Sequence, residues 1–588
     1  MGHRKGISFM CLSGTKGKTT FSLGAIVMVL TLLLGVSHFT SAPASAVSPK
    51  ALTTFKVNHP TIVKVGTVNL AQLAKNPAVK YTPAQIAQMQ KEQAFVDNLD
   101  PTKTKSSAAK VIPSVSPTKI NGVRPKSSSP VTTQFMGVDA ALNAATTGGD
   151  LEPPDEGMAQ GNGYVFNMVN VTGEIYNTSG VAQVPNAFSM GAFLSVPSGW
   201  FISDPRVLYD APSGRWFVTG FSFSNTASAI NFAVSQTNNP TGAWNVYALN
   251  TTAASDPGCP CLPDYPIIGM DGFNMYLTAN EFPISGNGFN GSNIWAVSKS
   301  ALLSGSTPNV VEYSMISFQG NQTYHIQPAV KRQALNAELF AMSTDFSGTS
   351  SNTLAVWSLS NPGAVSTGGT PTLTAASVNS EYYAYPINPQ TPAGYCTGCA
   401  AATTGLINAD FDALQEVEYI NGQLFTALDT TVNMFGTPVD GIAWFEVKAV
   451  LDSNFNVTSA SHMTAQGYLA ADSVSLLYPH VEIKPDGYGA LVFTYGGPTT
   501  DMSVGYALRM GPNMPFGPDL NTVYSSTYAD NGFTGAAAYG GLGRWGDYSA
   551  GSLDPVTGNI WLAAETTDSG NGDQYANWAN VIFEVTLP

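Results

Sequence analysis

The fold is decided by a stretch that begins Asp204-Pro205-Arg206-Val207-Leu208-Tyr209-Asp210 and continues after a turn as Arg215-Trp216-Phe217-Val218-Thr219-Gly220-Phe221. Two further apolar runs follow, at 230–235 and 244–249, and Gly, Asn, Pro and Ser turns separate all four runs. Short apolar and aromatic runs bounded by such turns predict β-strands. The stretch therefore predicts one unit of four short strands.

This unit recurs along the chain. Comparable units start near Pro266, Pro328, Leu414, Pro479 and Asp547, and a weaker unit begins near Pro154. Repeated four-stranded units are typical of propeller blades, because one blade cannot bury both of its faces alone. We predict an all-β fold over residues 150–588, a β-propeller of seven four-stranded blades, with six or eight blades as alternatives. The last unit has three clear strands, so a segment within 111–131 is expected to supply the closing strand.

Residues 1–46 have the three regions of a secretory signal peptide. Basic residues precede an apolar run at 21–36, and Ala44-Ser45-Ala46 follows it. The run is shorter than the roughly 20 residues that span a bilayer. We therefore expect cleavage after Ala46 rather than an uncleaved anchor, and a protein that is secreted or held at the cell surface.

Residues 47–149 are predicted to form a basic tail before an acidic body. Residues 47–130 hold twelve Lys or Arg against three acids, whereas residues 131–588 hold nine against 36. One helix is expected at 82–99, with Thr82 as its N-cap and Asp100-Pro101 after its end. The tail is expected either to lie on the acidic body or to bind an anionic cell-envelope polymer. The net charge of −14 argues against a nucleic-acid partner.

Charged residues make up only 11% of the chain, so hydroxyl and amide side chains must cover much of the surface. Few cations are present in the body to repel one another once the carboxylates become protonated. We therefore expect the fold to withstand acid.

Several motifs carry a resemblance to a known group. Glu152-Pro153-Pro154-Asp155, Ser203-Asp204-Pro205-Arg206, Cys259-Pro260-Cys261, Tyr265-Pro266 and Arg544-Trp545-Gly546-Asp547-Tyr548-Ser549 resemble secreted bacterial β-propeller proteins without a settled activity. The resemblance covers residues 150–588 and implies fold and secretion only. The chain is also similar to sialidase-like propellers, but it lacks their Asp-box spacing, Ser-x-Asp-x-Gly-x-x-Trp. Asp210–Gly214 and Asp554–Gly558 are instead expected to be hairpin turns.

Polar residues where the first strands begin form the candidate site. In a propeller these strands line the central channel, and the loops before them crowd one mouth. The catalytic residues of a hydrolase are expected to be Asp155, Asp204, Arg206, Asp547 and Tyr548. The binding residues are expected to be Asp264, Tyr265, His325, Gln327, Gln415, His480 and Arg544, with Asp412 and Tyr478 near them.

Two interpretations of these residues differ in chemistry. Crowded carboxylates raise one another's pKa and suit general acid catalysis, as in glycoside hydrolysis. Alternatively, the Asp side chains cap strand turns, and Arg206 and Arg544 pair with them to lock blades together. Because no catalytic motif is recognisable, the sequence favours a binding module for a glycan or protein partner. An extracellular, glycosidase-like hydrolase is the alternative.

Four cysteines follow the predicted cleavage site, namely Cys259, Cys261, Cys396 and Cys399. In an exported protein they predict two disulfides with three possible pairings, two of which join the two loops. We expect such a staple between the loops, and a Cys₄ zinc site is the alternative. No cofactor is predicted. Two loops, Asp568–Asp573 and Gly286–Asn293, offer oxygen ligands to Ca²⁺, but neither has EF-hand spacing and turn chemistry explains them better.

Overall fold

The computed structural model describes residues 52–96, 110–116, 120–121, 130–149, 151–285, 288–396, 398–568 and 576–588. The predicted signal peptide lies outside the described residues. Among the residues described, no helix has the length and apolar character needed to cross a bilayer.

Strands dominate the structure, and the all-β prediction is confirmed. In the part of the chain that the structure describes, seven successive groups of antiparallel strands follow one another, and groups 3 to 5 are joined in one larger sheet. The first four groups comprise Gly157–Gly161, Tyr164–Val169, Thr172–Asn177 and Phe188–Ser189; Phe201–Asp210, Arg215–Phe223, Ser228–Ser235 and Ala243–Asn250; Cys261–Met270, Asn274–Pro283, Ser292–Ser298 and Val310–Phe318; and Gln327–Lys331, Ala337–Ser343, Ser350–Ser360 and Thr372–Ala384.

Groups 5 to 7 complete the set. They comprise Val417–Ile420, Gln423–Met434, Thr437–Lys448 and His462–Leu469; Ser475–Ile483, Tyr488–Gly497, Thr500–Met510 and Phe516–Tyr524; and Ala550–Leu553, Ile560–Thr567 and Trp578–Val585 with Val131–Asp139. Short strands lie at Asn321–Gln322, Tyr395–Cys396 and Ala401–Ala402. The helices are Leu70–Leu73, Pro83–Val96, Ala140–Thr147, Met190–Phe193 and Lys299–Ser304, with 3₁₀ turns at Pro362–Thr367, Phe533–Gly535 and Ala537–Tyr539.

The innermost strands meet in a ring. The first strand of each group contacts the first strand of the next, and the first strand of group 7 contacts that of group 1. Hydrogen-bonded pairing between innermost strands is confined to groups 3, 4 and 5, so the ring is one of packing and not a closed sheet. This is the arrangement of a β-propeller.

The core is divided among the spaces between neighbouring groups. Phe166 and Trp216 share one apolar cluster between groups 1 and 2, and six comparable clusters fill the other spaces around the ring. A single group could not bury both of its apolar faces, which explains the repetition seen in the sequence.

Turns between first and second strands match the expected hairpins. The N–H groups of Gly214 and Gly558 donate to the carbonyls of Asp210 and Asp554, each at 2.9 Å. Both glycines have positive φ, at 62° and 71°, a conformation that other L-residues rarely adopt. The hairpin interpretation of these Asp–Gly stretches is confirmed.

The residues before 150 run along the outside of the ring. Thr53–Asn58 adds a strand to group 3, Ile62–Asn69 adds one to group 2, and Ile120–Asn121 adds one to group 6. The strand that completes group 7 is Val131–Asp139, which pairs with Trp578–Val585. The expectation that a segment within 111–131 would complete the last unit is wrong by about one strand length. The strand that pairs with Trp578–Val585 begins only at Val131, where the alternation of more and less exposed residues starts.

The helix predicted at 82–99 is present as Pro83–Val96. Thr82 and Gln85 cap it reciprocally. The Thr82 hydroxyl accepts from the Gln85 N–H, and the Gln85 side chain accepts from the Thr82 N–H. Its predicted end at residues 97–99 lies outside the described residues.

Candidate functional site

The first strands all begin on the same face of the ring, called here the top face. Near these starts the backbone has positive φ at five residues that are not glycine: Asp155, Asp204, Tyr265, His325 and Tyr478, between 46° and 55°. Strand pairing shifts register at three of these places, in groups 2, 3 and 6. Since such backbone is costly for L-residues, something must hold it in each group.

Side chains of the preceding group supply that restraint. The N–H groups of Asp204, His325 and Tyr478 donate to Asn170 Oδ1, Asn280 Oδ1 and Asp429 Oδ1 at 2.8, 2.9 and 2.9 Å. All three acceptors lie in, or directly after, the second strand of their group. The sequence analysis did not identify these three acceptors. A single polar side chain in or just after an otherwise apolar second strand could have indicated them.

Two of the predicted catalytic carboxylates have this locking role. Asp155 Oδ1 accepts from the Asp547 N–H at 2.9 Å, and its Oδ2 accepts from Asn170 Nδ2 at 2.6 Å. Asp204 Oδ2 accepts from the Tyr265 N–H at 3.2 Å. Both side chains are buried. Burial and the nearby Asp547 raise the pKa of Asp204 to about 7 and that of Asp155 well above its ordinary value.

The predicted residues Arg206, Tyr265 and Tyr548 fill the centre of the channel mouth. The Arg206 guanidinium lies 3.2 Å from the centre of the Tyr548 ring, and its Nε donates to the Pro266 carbonyl. The Tyr265 hydroxyl lies 3.1 Å from the Asp547 carbonyl, and the Tyr548 hydroxyl donates to the Pro205 carbonyl. The mouth is therefore plugged by side chains from three different groups.

The remaining predicted residues divide between this plug and its surroundings. The His325 ring lies 4.1 Å from the Tyr265 ring, and Gln415 Oε1 lies 3.2 Å from the Tyr265 hydroxyl. Gln327 donates to the Leu414 carbonyl and so links groups 4 and 5. Asp264 is half-buried in the first strand of group 3, and Asp412 is fully buried. Arg544 pairs with Asp547 at 2.8 Å, whereas His480 lies further down, in the channel wall.

Two long loops, 385–413 and 525–549, lie over the plug, to which the second loop also contributes Tyr548, and are called here the cover. They bind each other through the Thr404 N–H to the Gly535 carbonyl and the Asn408 N–H to the Gly543 carbonyl, at 2.8 and 2.9 Å. Phe411 packs on His325, with ring centres 4.2 Å apart. The carboxylates below the cover are thus separated from the solvent on the top face.

The channel beneath the plug is narrow and polar. Glu156, Arg206, Arg332, Glu418 and His480 contribute to its lining, and its volume is about 40 Å³. By this measure a cavity needs roughly 10–15 Å³ to hold one water molecule. The space beneath the plug therefore corresponds to a few water molecules.

The cysteines form two local disulfides, Cys259–Cys261 and Cys396–Cys399. The prediction of two disulfides is confirmed, whereas the expected staple between the two loops is wrong because each cysteine bonds within its own loop. Among the described residues, the only acidic, His or Cys group that is compact enough for a metal ion contains Cys259, Cys261 and Glu281. There the sulfurs are bonded to each other, which leaves no thiolate to bind a metal.

The loops suggested for Ca²⁺ are only partly described. In the loop at 286–293, Asn290 Nδ2 and Asn293 Nδ2 both donate to Glu281, each at 2.8 Å. Their amides therefore serve the protein itself. Residues 286–287 and 569–573 lie outside the described residues.

Asn170 provides a test of the locking role. Its side chain donates to the Pro153 carbonyl and Asp155, and accepts from Ser203 and Asp204. We expect Asn170→Ala to lower the free energy of unfolding by about 1–3 kcal/mol, because buried partners lose their hydrogen bonds. Urea unfolding measures the change, with the exposed Asn336→Ala as control. Equal midpoints for the two variants would contradict the role.

Comparison with known proteins yields similarity in shape only. No family model and no curated protein matches the chain, so the resemblance of Arg544–Ser549 to a secreted bacterial group gains no support there. Solved structures that are similar include the GH93 α-L-arabinofuranosidase of Fusarium graminearum with arabinobiose, at 9% identity, 77% of this chain, 98% of that chain and a TM-score of 0.35.

Two others are Drosophila Semaphorin 1b, extracellular domains 1–2, and the phage phi92 endosialidase. The first has 10% identity over 80% of this chain and 87% of that chain, with a TM-score of 0.33. The phage phi92 endosialidase has 8% identity over 64% of this chain and 66% of that chain, with a TM-score of 0.33. At these values the similarity transfers neither a substrate nor a site residue to this chain.

Proposed function

We propose that this protein is a secreted, seven-bladed β-propeller that acts as a binding module, with its ligand on the cover. The seven strand groups and the ring of contacts between their first strands support the blade number. The two disulfides favour an oxidising compartment, as expected after export.

One observation carries the choice of binding over hydrolysis. Asp155 and Asp204, the best catalytic candidates, are buried, and their oxygens accept hydrogen bonds from the N–H groups of Asp547 and Tyr265 in neighbouring groups. A catalytic acid must reach the bond that it protonates. Beneath a cover, beside a plug and above a channel of about 40 Å³, neither carboxyl can approach a glycosidic oxygen.

The cover offers aromatic rings to solvent. Tyr395, Tyr528 and Tyr539 are exposed by 59%, 46% and 61%. A tyrosine ring presents an apolar face with a polar tip, which suits the C–H face and the hydroxyls of a sugar. The two cover loops contain a single basic residue, Arg544, which pairs with Asp547. An uncharged glycan therefore fits this surface better than an anionic polymer.

The basic segment before residue 150 is partly engaged with the body. Lys56 pairs with the buried Asp256 at 2.9 Å, Lys64 donates to the Gly305 carbonyl, and Lys110 donates to the Tyr385 carbonyl. These contacts favour the simpler expectation, in which the segment lies on the acidic body, over a tether to a cell-envelope polymer.

Glycan-array binding tests the proposal. We expect the full chain to bind neutral glycans and Tyr395→Ala/Tyr539→Ala to weaken that binding about tenfold or more, since buried aromatic contacts often dominate a binding surface. Phe273→Ala removes an exposed ring from a turn at the opposite face and serves as the control.

A glycosidase-substrate screen with Asp547→Asn runs beside the array. If the parent hydrolyses a substrate and Asp547→Asn does not, the protein is a hydrolase and the binding-module proposal is wrong. If neither glycan binding nor turnover is detected, the glycan proposal is wrong, and a protein partner is the ligand class to test next.

A further inference from the structure

The Cys259–Cys261 disulfide lies on the top face, at the start of the first strand of group 3. Cys259 is half-buried, whereas Cys261 is buried. Only two positions separate the bonded residues. Because the stabilisation that a disulfide provides increases with the length of the closed loop, this bond constrains the unfolded chain very little.

Polar side chains surround the two sulfurs. Asn290 Nδ2 lies 3.7 Å from both sulfur atoms, and Glu281 Oε1 lies 3.7 Å from Cys259 Sγ. Asn290 also donates to Glu281 Oε1 at 2.8 Å, and Asn293 donates to Oε2 at 2.8 Å. A buried amide donor and a buried carboxyl are thus fixed beside the bond by a local hydrogen-bond network.

From this arrangement we infer that Cys259–Cys261 is a thiol–disulfide exchange site, which oxidises thiols that reach the top face. In the first step a thiolate attacks Cys259 Sγ, the more accessible sulfur. A new bond joins the incoming sulfur to Cys259, and the Cys259–Cys261 bond breaks. The electron pair leaves on Cys261, whose sulfur lies 3.7 Å from the partly positive Asn290 Nδ2. The two hydrogens of that amide donate to the Pro257 carbonyl and Glu281.

A second thiolate completes the reaction. It attacks the incoming sulfur of the mixed disulfide, so that the two substrate sulfurs become bonded and Cys259 leaves as a thiolate. Glu281 donates its proton to this sulfur and regains one from water, and Cys261 takes its proton from water. Two substrate thiols are oxidised to one disulfide, and the protein disulfide is reduced to two thiols. Burial raises the pKa of Glu281 to about 7, so its carboxyl can hold the required proton.

The other disulfide differs in its surroundings and provides an internal control. The Cys399 N–H lies 3.3 Å from Cys396 Sγ, and no compact acidic or His group accompanies this pair among the described residues. The double substitution Cys396→Ser/Cys399→Ser removes this bond, so that Cys259–Cys261 is the disulfide whose reduction is measured in the full chain.

The test measures exchange in that background. A peptide with two thiols and, separately, reduced glutathione are the probes, and alkylation followed by mass measurement counts the protein thiols. A short disulfide peptide with the sequence of residues 258–262 is the reference. We expect the protein to oxidise the peptide dithiol about tenfold or more faster than the reference does. Reaction with glutathione alone would assign the site to small thiols.

Glu281→Gln separates proton donation from packing. In the parent, loss of the Glu281 proton above about pH 7 should oppose the increase in rate that follows from thiolate formation by the attacking thiol. We expect the variant to keep the far-UV circular dichroism, to accumulate the mixed disulfide on Cys259 and to show a rate that follows the thiolate fraction alone. Glu281→Asp should restore part of the rate. The proposal fails if the protein reacts no faster than the reference peptide, or if Glu281→Gln changes neither the rate nor its pH profile.

Discussion

We expect the free energy of unfolding to be larger at about pH 4 than at about pH 8, the reverse of the usual acid sensitivity of proteins. The reason is a set of buried carboxyls. Burial raises the pKa of Glu174, Asp204, Glu281 and Asp440 to about 7 and that of Asp530 to about 6.

The direction follows from proton binding. In the unfolded chain these carboxyls titrate near pH 4, whereas in the folded protein they keep their protons up to about pH 6–7. Their stabilising contribution is complete below about pH 4 and disappears as the pH rises through 6–7. One pKa unit corresponds to about 1.4 kcal/mol. Asp440 alone, with a pKa that moves from 3.8 to about 7, contributes on the order of 4 kcal/mol.

Urea unfolding between about pH 3 and pH 9 checks this expectation, together with Asp440→Asn. Asp440 Oδ1 accepts from the Ile387 N–H at 2.8 Å, and asparagine retains that acceptor. The variant should therefore be unchanged in acid and more stable than the parent above pH 7. Exposed Asp472→Asn is the control. A fold that is lost below about pH 4 would contradict both this expectation and the acid tolerance predicted from the low content of Lys and Arg.

The second large effect is expected for Arg332→Met. Arg332 Nε and Nη2 donate to the two oxygens of Glu418 at 2.9 Å, and Nη2 also donates to Glu482 at 2.6 Å. One guanidinium thus joins groups 4, 5 and 6 in the channel wall, where both glutamates are buried. Removing it leaves buried charges without a partner, at a cost of about 3–5 kcal/mol near neutral pH.

The cost should fall in acid, because burial raises the pKa of Glu418 above its ordinary value and the protonated carboxyl no longer needs a cationic partner. Arg332→Met/Glu482→Gln should recover part of the stability at pH 7 by deleting one of the uncompensated charges. The control is Arg215→Met, since the Arg215 side chain donates only to the neighbouring Gly214 carbonyl in the described structure. A loss of stability that is the same at about pH 4 and about pH 8 would show that Arg332 matters for packing and not for charge.

Local patterns predicted the repeating part of the fold. The first strand with its Asp–Gly turn and aromatic second strand can be read within about twenty residues, because strand alternation and turn chemistry are local. The same patterns placed Asp204, Arg206, Asp547 and Tyr548 at one mouth, where the structure brings them together.

Contacts between distant segments escaped prediction. Nothing local indicates that loops 385–413 and 525–549 bind each other, or that Asp547 in the second loop donates its N–H to the distant, buried Asp155. The closing strand was placed too early for the same reason, since Thr132 and Glu584 are hydrogen-bonded partners 452 residues apart. For the disulfides the error was the reverse, because we expected a bond between distant loops and the structure has bonds within each loop. Cysteine spacing alone does not show which of these pairings forms.

The pairing of Val131–Asp139 with Trp578–Val585 has a consequence for biosynthesis. Contacts at such sequence separation form late and slowly, after the intervening chain has been synthesised. Until Trp578–Val585 has been synthesised, Val131–Asp139 has no partner strand, and the apolar side chains that the two strands bury together are exposed. An unpaired strand edge of this kind can associate with other chains. A nascent or exported chain would need to be kept apart from its neighbours during that interval, so the demand on chaperones should depend on the time between synthesis of the two strands.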